Sequence, residues 1–326
     1  KNLIEYLYPM KKKMKTKFIV VLFIMTGLFI LAALFIGVFT LGSSSFIDVP
    51  WQDFIEAGNF TDYPVWTFGL LMFFAVGIPF FFLTVLGFKL LSPNIKSIGN
   101  IAKYTLLAIW LIAVGIAISI GIKQATAFAI DGRLVNNEMV NLTPTDTLFI
   151  KFKHNDYYAK NIDERNDFKI TQDSSGTDVI YSNDVLFKIA ATDEKTPYLK
   201  NEKEAKGKTL IEAKKRAEKI KYNYVIQGNR IILNNYLLTD LKEKFGGQEI
   251  EITLFLPKGI LFKVDKSLEN YDHTDSDYFL WNPDLTDAVY KVGSDKIKCL
   301  NCPKEANDNS EMENKEETDS VVTTTV

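Results

Sequence analysis

Three uncharged apolar runs, 18–41, 65–91 and 104–122, stand out along the first third of the chain, and only Lys89, near the end of the second, interrupts them. Each reaches the ~20 helical residues that a hydrocarbon core requires, so the pattern predicts three transmembrane helices. A signal peptide would show a shorter apolar core and a small-residue cleavage site; the first run is too long, and Ser43-Ser44-Ser45 matches poorly. From Lys123 the pattern changes to short pieces, several alternating apolar with polar residues. Strands are predicted at 127–135, 147–152, 179–181, 185–190, 221–226, 230–233, 249–256 and 260–264. Asp131-Gly132, Ser174-Ser175-Gly176, Gln227-Gly228-Asn229 and Pro257-Lys258-Gly259 punctuate them. One helix, 209–220, interrupts the strands. Thr209 and Glu212 have the spacing of a capping box, and Ala213, Ala217 and Ile220 make a narrow apolar stripe. The fold class that follows is a membrane protein with three transmembrane α-helices and then a mainly β domain with one short helix.

Charge orients the spans. Through Ile122 the chain has nine lysines, no arginine and five acids; from Lys123 onward 29 bases and 35 acids give a formal charge of −6. Lys11, Lys12, Lys13, Lys15 and Lys17 precede the first run, and Lys89, Lys96 and Lys103 lie between the second and third. The intervening loop, 43–64, has four acids and no base. Positive residues flanking spans are retained in the cytoplasm. The pattern therefore predicts a multi-pass protein of the inner (cytoplasmic) membrane, with a cytoplasmic N-terminus and an extracytoplasmic, periplasmic β domain. Four segments are expected: a cytoplasmic basic stretch (1–17), the three-span region (18–122), the external β domain (123–303) and a disordered acidic tail (304–326).

Surface readings follow from this topology. Trp51, Trp66 and Tyr104 fall at expected interfaces, and Trp51, Phe54 and Ile55 at i, i+3, i+4 suggest a short helix on the outer surface, with an ordinary loop as the other reading. Ala113, Ala117 and Gly121 recur at four-residue spacing, as do Ala33 and Gly37, which lets helices approach closely, within this chain or against a partner membrane protein. Residues 195–221 carry ten bases and four acids. Lys214, Lys215, Arg216 and Lys219 are candidates for anionic headgroup contact, although a charge run also serves as a solvated face. The expected partners are the lipid bilayer and other membrane or envelope proteins, with self-association open and no nucleic acid.

Catalytic chemistry has little to build on. There are two histidines, His154 and His273, and neither a Gly-x-Ser-x-Gly elbow nor a phosphate-cradling glycine loop. No charged residue lies well inside a span, which argues against a pump or ion-coupled transporter. Asp272-His273-Thr274-Asp275-Ser276-Asp277 could hold a cation, but it lacks the order of a calcium loop and reads better as a polar turn. No cofactor and no enzymatic activity are expected.

The lysine-rich entry and the three spans with an acidic loop are followed by Phe128-Ala-Ile-Asp-Gly-Arg-Leu-Val135 and Asp146-Thr-Leu-Phe-Ile-Lys151. Further on come Glu212-Ala-Lys-Lys-Arg-Ala-Glu-Lys-Ile220 leading into Tyr222-Asn-Tyr224, and Gln248-Glu-Ile-Glu-Ile-Thr-Leu-Phe-Leu-Pro257. In that order, over roughly 10–303, they resemble Bacteroidetes-type phage-shock protein C (PspC) domain proteins, whose chains also close on a pair like Cys299-Leu-Asn-Cys302. The resemblance implies a toastrack-type β domain, as in LiaF-like envelope-stress proteins, and a non-enzymatic role in sensing or buffering envelope stress. It also implies a PspC domain ahead of the first span, so the chain, beginning at Lys1, reads as a fragment. An accessory or assembly subunit of an envelope transport complex is the alternative. For Cys299 and Cys302 a local disulfide is favoured, because an external location is oxidising. A redox centre, half a zinc site and free thiols are the other readings.

Overall fold

The computed structural model describes residues 3–43, 52–92, 94, 98–142, 146–155, 158, 168–285 and 287–303, with side chains from Lys17 onward. The chain divides into two compact units, Lys1–Thr126 and Ala127–Val326. Trp51 and the acidic tail expected beyond Pro303 lie outside the described residues.

The first unit is helical: α1 (Leu3–Ser43), α2 (Gln52–Gly58), α3 (Val65–Leu91) and α4 (Asn100–Thr126). Within these, Lys17–Ser43, Val65–Leu91 and Asn100–Thr126 are each 27 residues long and apolar enough to cross a membrane. At ~1.5 Å per residue each exceeds the ~30 Å of hydrocarbon. Large side chains such as Phe29, Phe39, Ile101 and Ile112 face outward, as they do when lipid rather than water is the solvent. α1 begins well before the first apolar run, because lysine is a good helix former; Pro9, the seventh residue of this helix, leaves the Glu5 carbonyl without its helical donor.

The second unit is mainly β. One sheet has the order β1 (Ile130–Met139), β6 (Tyr198–Gly207), β10 (Glu249–Pro257), β5 (Val185–Thr192). The other has the order β13 (Lys298–Cys299), β12 (Tyr290–Lys291), β11 (Leu261–Val264), β2 (Thr147–Lys153), β8 (Arg230–Asn234), β7 (Tyr224–Gln227). Alternate residues of both sheets meet in one core: Val185, Phe187, Leu199, Ile250, Ile252 and Leu254 from the first, Leu148, Ile150, Phe152, Ile231, Leu233 and Phe262 from the second. A small third sheet, β3 (Phe168–Gln172), β4 (Asp178–Ser182) and β9 (Leu237–Asp240), stacks Tyr181 with Tyr158 and Tyr236.

The α-helix of this unit among the described residues, α5 (Leu210–Glu218), starts at Thr209, whose hydroxyl accepts from Glu212 N at 3.2 Å. The Glu212 carboxylate turns instead to Arg216, so half of the expected capping box is made. Gly132 of β1 and Gly207 of β6 let α5 lie directly on the sheet. A Cβ on Gly132 would sit 2.6 Å from Ala213 Cβ, and one on Gly207 2.5 Å from Ala213 N.

Candidate functional site

In the membrane unit α1 packs antiparallel on α3, and glycine sets how close they come. Gly27 abuts the Thr84 hydroxyl, Gly87 admits Ile24, Gly69 admits Leu41, and Gly77 meets Leu31 and Leu34. This is the small-residue packing that apolar helices use when no hydrophobic force drives them together. The Thr84 hydroxyl donates to Phe80 O at 2.8 Å and so enters the seam already satisfied.

α3 carries Pro79 in mid-span. Proline has no N–H, so the carbonyl four residues earlier, that of Ala75, loses its helical donor. The indole Nε1 of Trp110 on α4 donates to that carbonyl at 2.9 Å. Within a bilayer, where water is absent, such an orphan must be met by protein. Trp110 thus acts as the missing hydrogen bond of a neighbouring helix.

At the end of α4 the segment after α2 is tied down. Gln124 accepts from Phe60 N at 3.1 Å and donates to Gly58 O at 2.6 Å. Lys123 donates to Thr61 O at 2.6 Å, pairs with Asp62 at 3.2 Å and lies over the Tyr63 ring. A cation at a helix C-terminus is favoured by the helix dipole. Phe54 and Ile55 of α2 are exposed.

The small residues read from sequence fall in different environments. Ala113 is buried and Ala117 half-buried, while Gly121 is exposed with open space around it. Ala33 and Gly37 line an apolar groove of about 330 Å³ with Phe29, Ile30, Phe68 and Met72. The tight seam itself uses Gly27, Gly69, Gly77 and Gly87, which the spacing within single helices does not reveal.

In the β unit, Lys214, Lys215 and Lys219 are exposed. Arg216 is not available in the same way, since it donates to Lys206 O at 3.0 Å and to Glu212. Lys203 points from β6 toward the core and donates to Ile220 O at 2.7 Å just beyond α5, and burial lowers its pKa. Burial likewise raises Tyr222 well above its ordinary value. Tyr224 is pushed up to about 12, by burial first and then by its hydrogen bond to Glu138. The two histidines have separate surroundings: His154 Nδ1 lies 3.4 Å from Asn235 Nδ2, and His273 Nδ1 lies 3.0 Å from Tyr271 O. In the 272–277 cluster, Asp272 accepts from Thr274 N and Oγ1, and Asp275 accepts from Asp277 N, so both brace their own turns. No group of three or more potential metal ligands forms among the described residues.

A disulfide joins Cys299 of β13 to Cys302, with Cα atoms 5.7 Å apart. Between them Asn301 accepts from Val289 N at 2.7 Å and donates to Asp287 O at 3.0 Å, fixing this edge of the sheet.

Three apolar helices long enough to span, joined to a β domain with its own hydrophobic core, define a multi-pass membrane protein with a folded extramembrane domain. Residues 5–128 match the family model for the PspC transmembrane region (LiaI-LiaF-TM_PspC). Residues 171–305 match the model for the ToastRack found in some PspC. The chain belongs with the PspC-type membrane proteins, as a PspC transmembrane region followed by its toastrack domain. No curated protein and no solved structure matches it. Neither matched family describes an enzyme.

Proposed function

We propose that this protein is a membrane-anchored sensor or regulator of envelope stress, of the PspC/LiaF type, acting without catalysis. The observation that carries the reading is the direct succession of a PspC transmembrane region and a PspC-associated toastrack domain in one chain. The lysine pattern supports a cytoplasmic N-terminus at 1–17, spans within 18–122 in the inner membrane, and a β domain, 123–303, on the external side ahead of the acidic segment 304–326. In that arrangement the helices meet the bilayer and report its state or a partner's. The toastrack domain binds an envelope protein or a second copy outside. Lys214, Lys215 and Lys219 supply a basic face for anionic headgroups, and the Cys299–Cys302 disulfide suits an oxidising compartment.

The test is the cellular response to membrane-damaging agents in a strain lacking the gene. A response altered by the deletion and restored by the intact gene is expected; an unchanged response removes the reading's main support. A second reading, an accessory or assembly subunit of an envelope transport complex, is favoured by the open groove at Ala33 and Gly37. It requires a stoichiometric transport partner to copurify in mild detergent.

A further inference from the structure

The two sheets of the β domain carry charge on their outer faces in opposite ways. On the four-stranded sheet, bases are matched by acids: Arg133 with Glu204 at 2.7 Å, Lys206 with Asp131 at 2.9 Å, Lys200 with Glu202 at 2.6 Å, Lys188 with Glu251 at 2.9 Å. On the six-stranded sheet the register brings six bases to the outer face. Lys263, Phe149 and Arg230 form one row across β11, β2 and β8, Lys291 and Lys298 continue the face across β12 and β13, and Lys151 and Lys153 extend it along β2. No outward position of these strands carries an acid. Two carboxylates stand beside the face: Asp265 accepts from Ser267 N to cap a short helical turn, and Asp287, whose side chain is 95% exposed, reaches Lys263 at 3.6 Å. Among the described residues the other five bases form no ion pair.

At the centre of this face is a depression of about 280 Å³. Its floor is Phe149, with Arg230 5.8 Å and Lys263 5.9 Å from the ring centroid. Asp265 and Asp287 also line the depression, so bases outnumber acids on this face without excluding them. Cations held over an aromatic ring on a surface of net positive charge attract anionic groups from a distance and favour those with some apolar body.

We infer that this face docks the chain's own acidic segment, 304–326. That segment has seven acids and two lysines, together with Met312, Val321 and Val322. It therefore complements the face in both charge and apolar content. It also leaves from the right place, because β13 is the edge strand of this same sheet and the Cys299–Cys302 disulfide closes the last turn before Pro303. Six strands at ~4.8 Å spacing span about 24 Å, whereas 23 residues at ~3.3 Å each reach about 75 Å. The segment can cross the whole face with slack. Tethering makes weak contacts sufficient, since a short linker holds its end at about millimolar effective concentration.

Carbodiimide cross-linking of the full chain in detergent, mapped by peptide mass spectrometry, tests this directly. Amide links from the acids of 311–319 to Lys151, Lys263 and Lys291 are expected. Their yield should fall about tenfold as ionic strength rises from about 0.01 to about 1 M, because the screening length contracts from ~30 to ~3 Å. With mixed isotope-labelled and unlabelled chains, links should join peptides of the same label. Mixed-label links would assign the face to a second copy, and links confined to Lys214, Lys215 and Lys219, or none, would overturn the inference outright. As a second measure, acylation of Lys151, Lys263 and Lys291 should rise at low salt when Glu311→Gln, Glu313→Gln, Glu316→Gln and Glu317→Gln are combined. Equal acylation of both chains, or protection that appears only with phosphatidylglycerol vesicles, would refute docking by this segment.

Discussion

Replacing Trp110 with Phe should cost more stability with Pro79 present than without it. The indole of Trp110 donates to Ala75 O at 2.9 Å, near the ideal length for such a bond. That carbonyl has no helical donor, since position 79 is proline. Trp110→Phe keeps an aromatic ring but leaves the oxygen unmet in a dry environment. An unsatisfied buried acceptor costs ~1–3 kcal/mol in general, and hydrogen bonds between membrane helices measure ~0.6 to ~1.7 kcal/mol. A loss of about 1–2 kcal/mol is expected, part of it packing. In the Pro79→Ala background the helix supplies its own N–H, and Trp110→Phe should then lose packing alone. A double-mutant cycle on the full chain in mixed micelles, with SDS-driven unfolding read by pulse proteolysis, gives the coupling without relying on tryptophan fluorescence. A coupling of about 1 kcal/mol is expected. If Trp110→Phe costs the same in both backgrounds, within the ~0.3–0.5 kcal/mol typical of independent sites, the indole is not serving that carbonyl.

Other consequences are as specific. Gly132→Ala places a Cβ 2.5 Å from the Ala213 carbonyl carbon, so α5 must retreat by about 1 Å; at ~1–3 kcal/mol of overpacking, amide exchange in 210–218 should quicken about tenfold. Unchanged exchange would mean that the glycine is not what lets the helix approach. The Glu249 carboxyl is held above its ordinary value of 4.5, first by burial and then by Asp184, Glu204 and Glu251. It binds its proton more tightly folded than unfolded, so its contribution to stability is greatest below about that ordinary value and is lost as pH rises through the folded pKa. Glu249→Gln should remove that part of the pH profile and raise stability at neutral pH; an unaltered profile would contradict the assignment. Changing Cys299 and Cys302 to Ser should cost about 2 kcal/mol, because so short a loop constrains the unfolded chain little. Loss of the whole β domain would show the bond to be more than a clip at one edge.

The three spans and α5 were legible because their signals are local: uninterrupted apolarity, and a hydroxyl three residues ahead of a carboxylate. β6 was not, although it lies between β1 and β10 in the middle of its sheet. Its inward positions include Asn201 and Lys203, and its outward ones Lys200, Glu202, Glu204 and Lys206, so hydrophobic alternation is erased. Strands as short as β12 and β13, two residues each, leave no periodicity at all. The glycine seam failed for another reason. Four-residue spacing within one helix pointed to Ala113, Ala117 and Gly121, whereas the close contacts pair Gly27 with Thr84 and Gly87 with Ile24 across two helices. Trp110 could have been found by asking what meets the carbonyl that a mid-span proline releases.

The account depends most on which side of the membrane holds the toastrack domain. A cysteine introduced at exposed Ser174, compared with one at Lys13, each in a chain with Cys299 and Cys302 changed to Ser, can be challenged in intact spheroplasts with a membrane-impermeant maleimide. The account predicts that position 174 is labelled at once and position 13 only after permeabilisation. Labelling in the reverse order, or at both positions before permeabilisation, would contradict it.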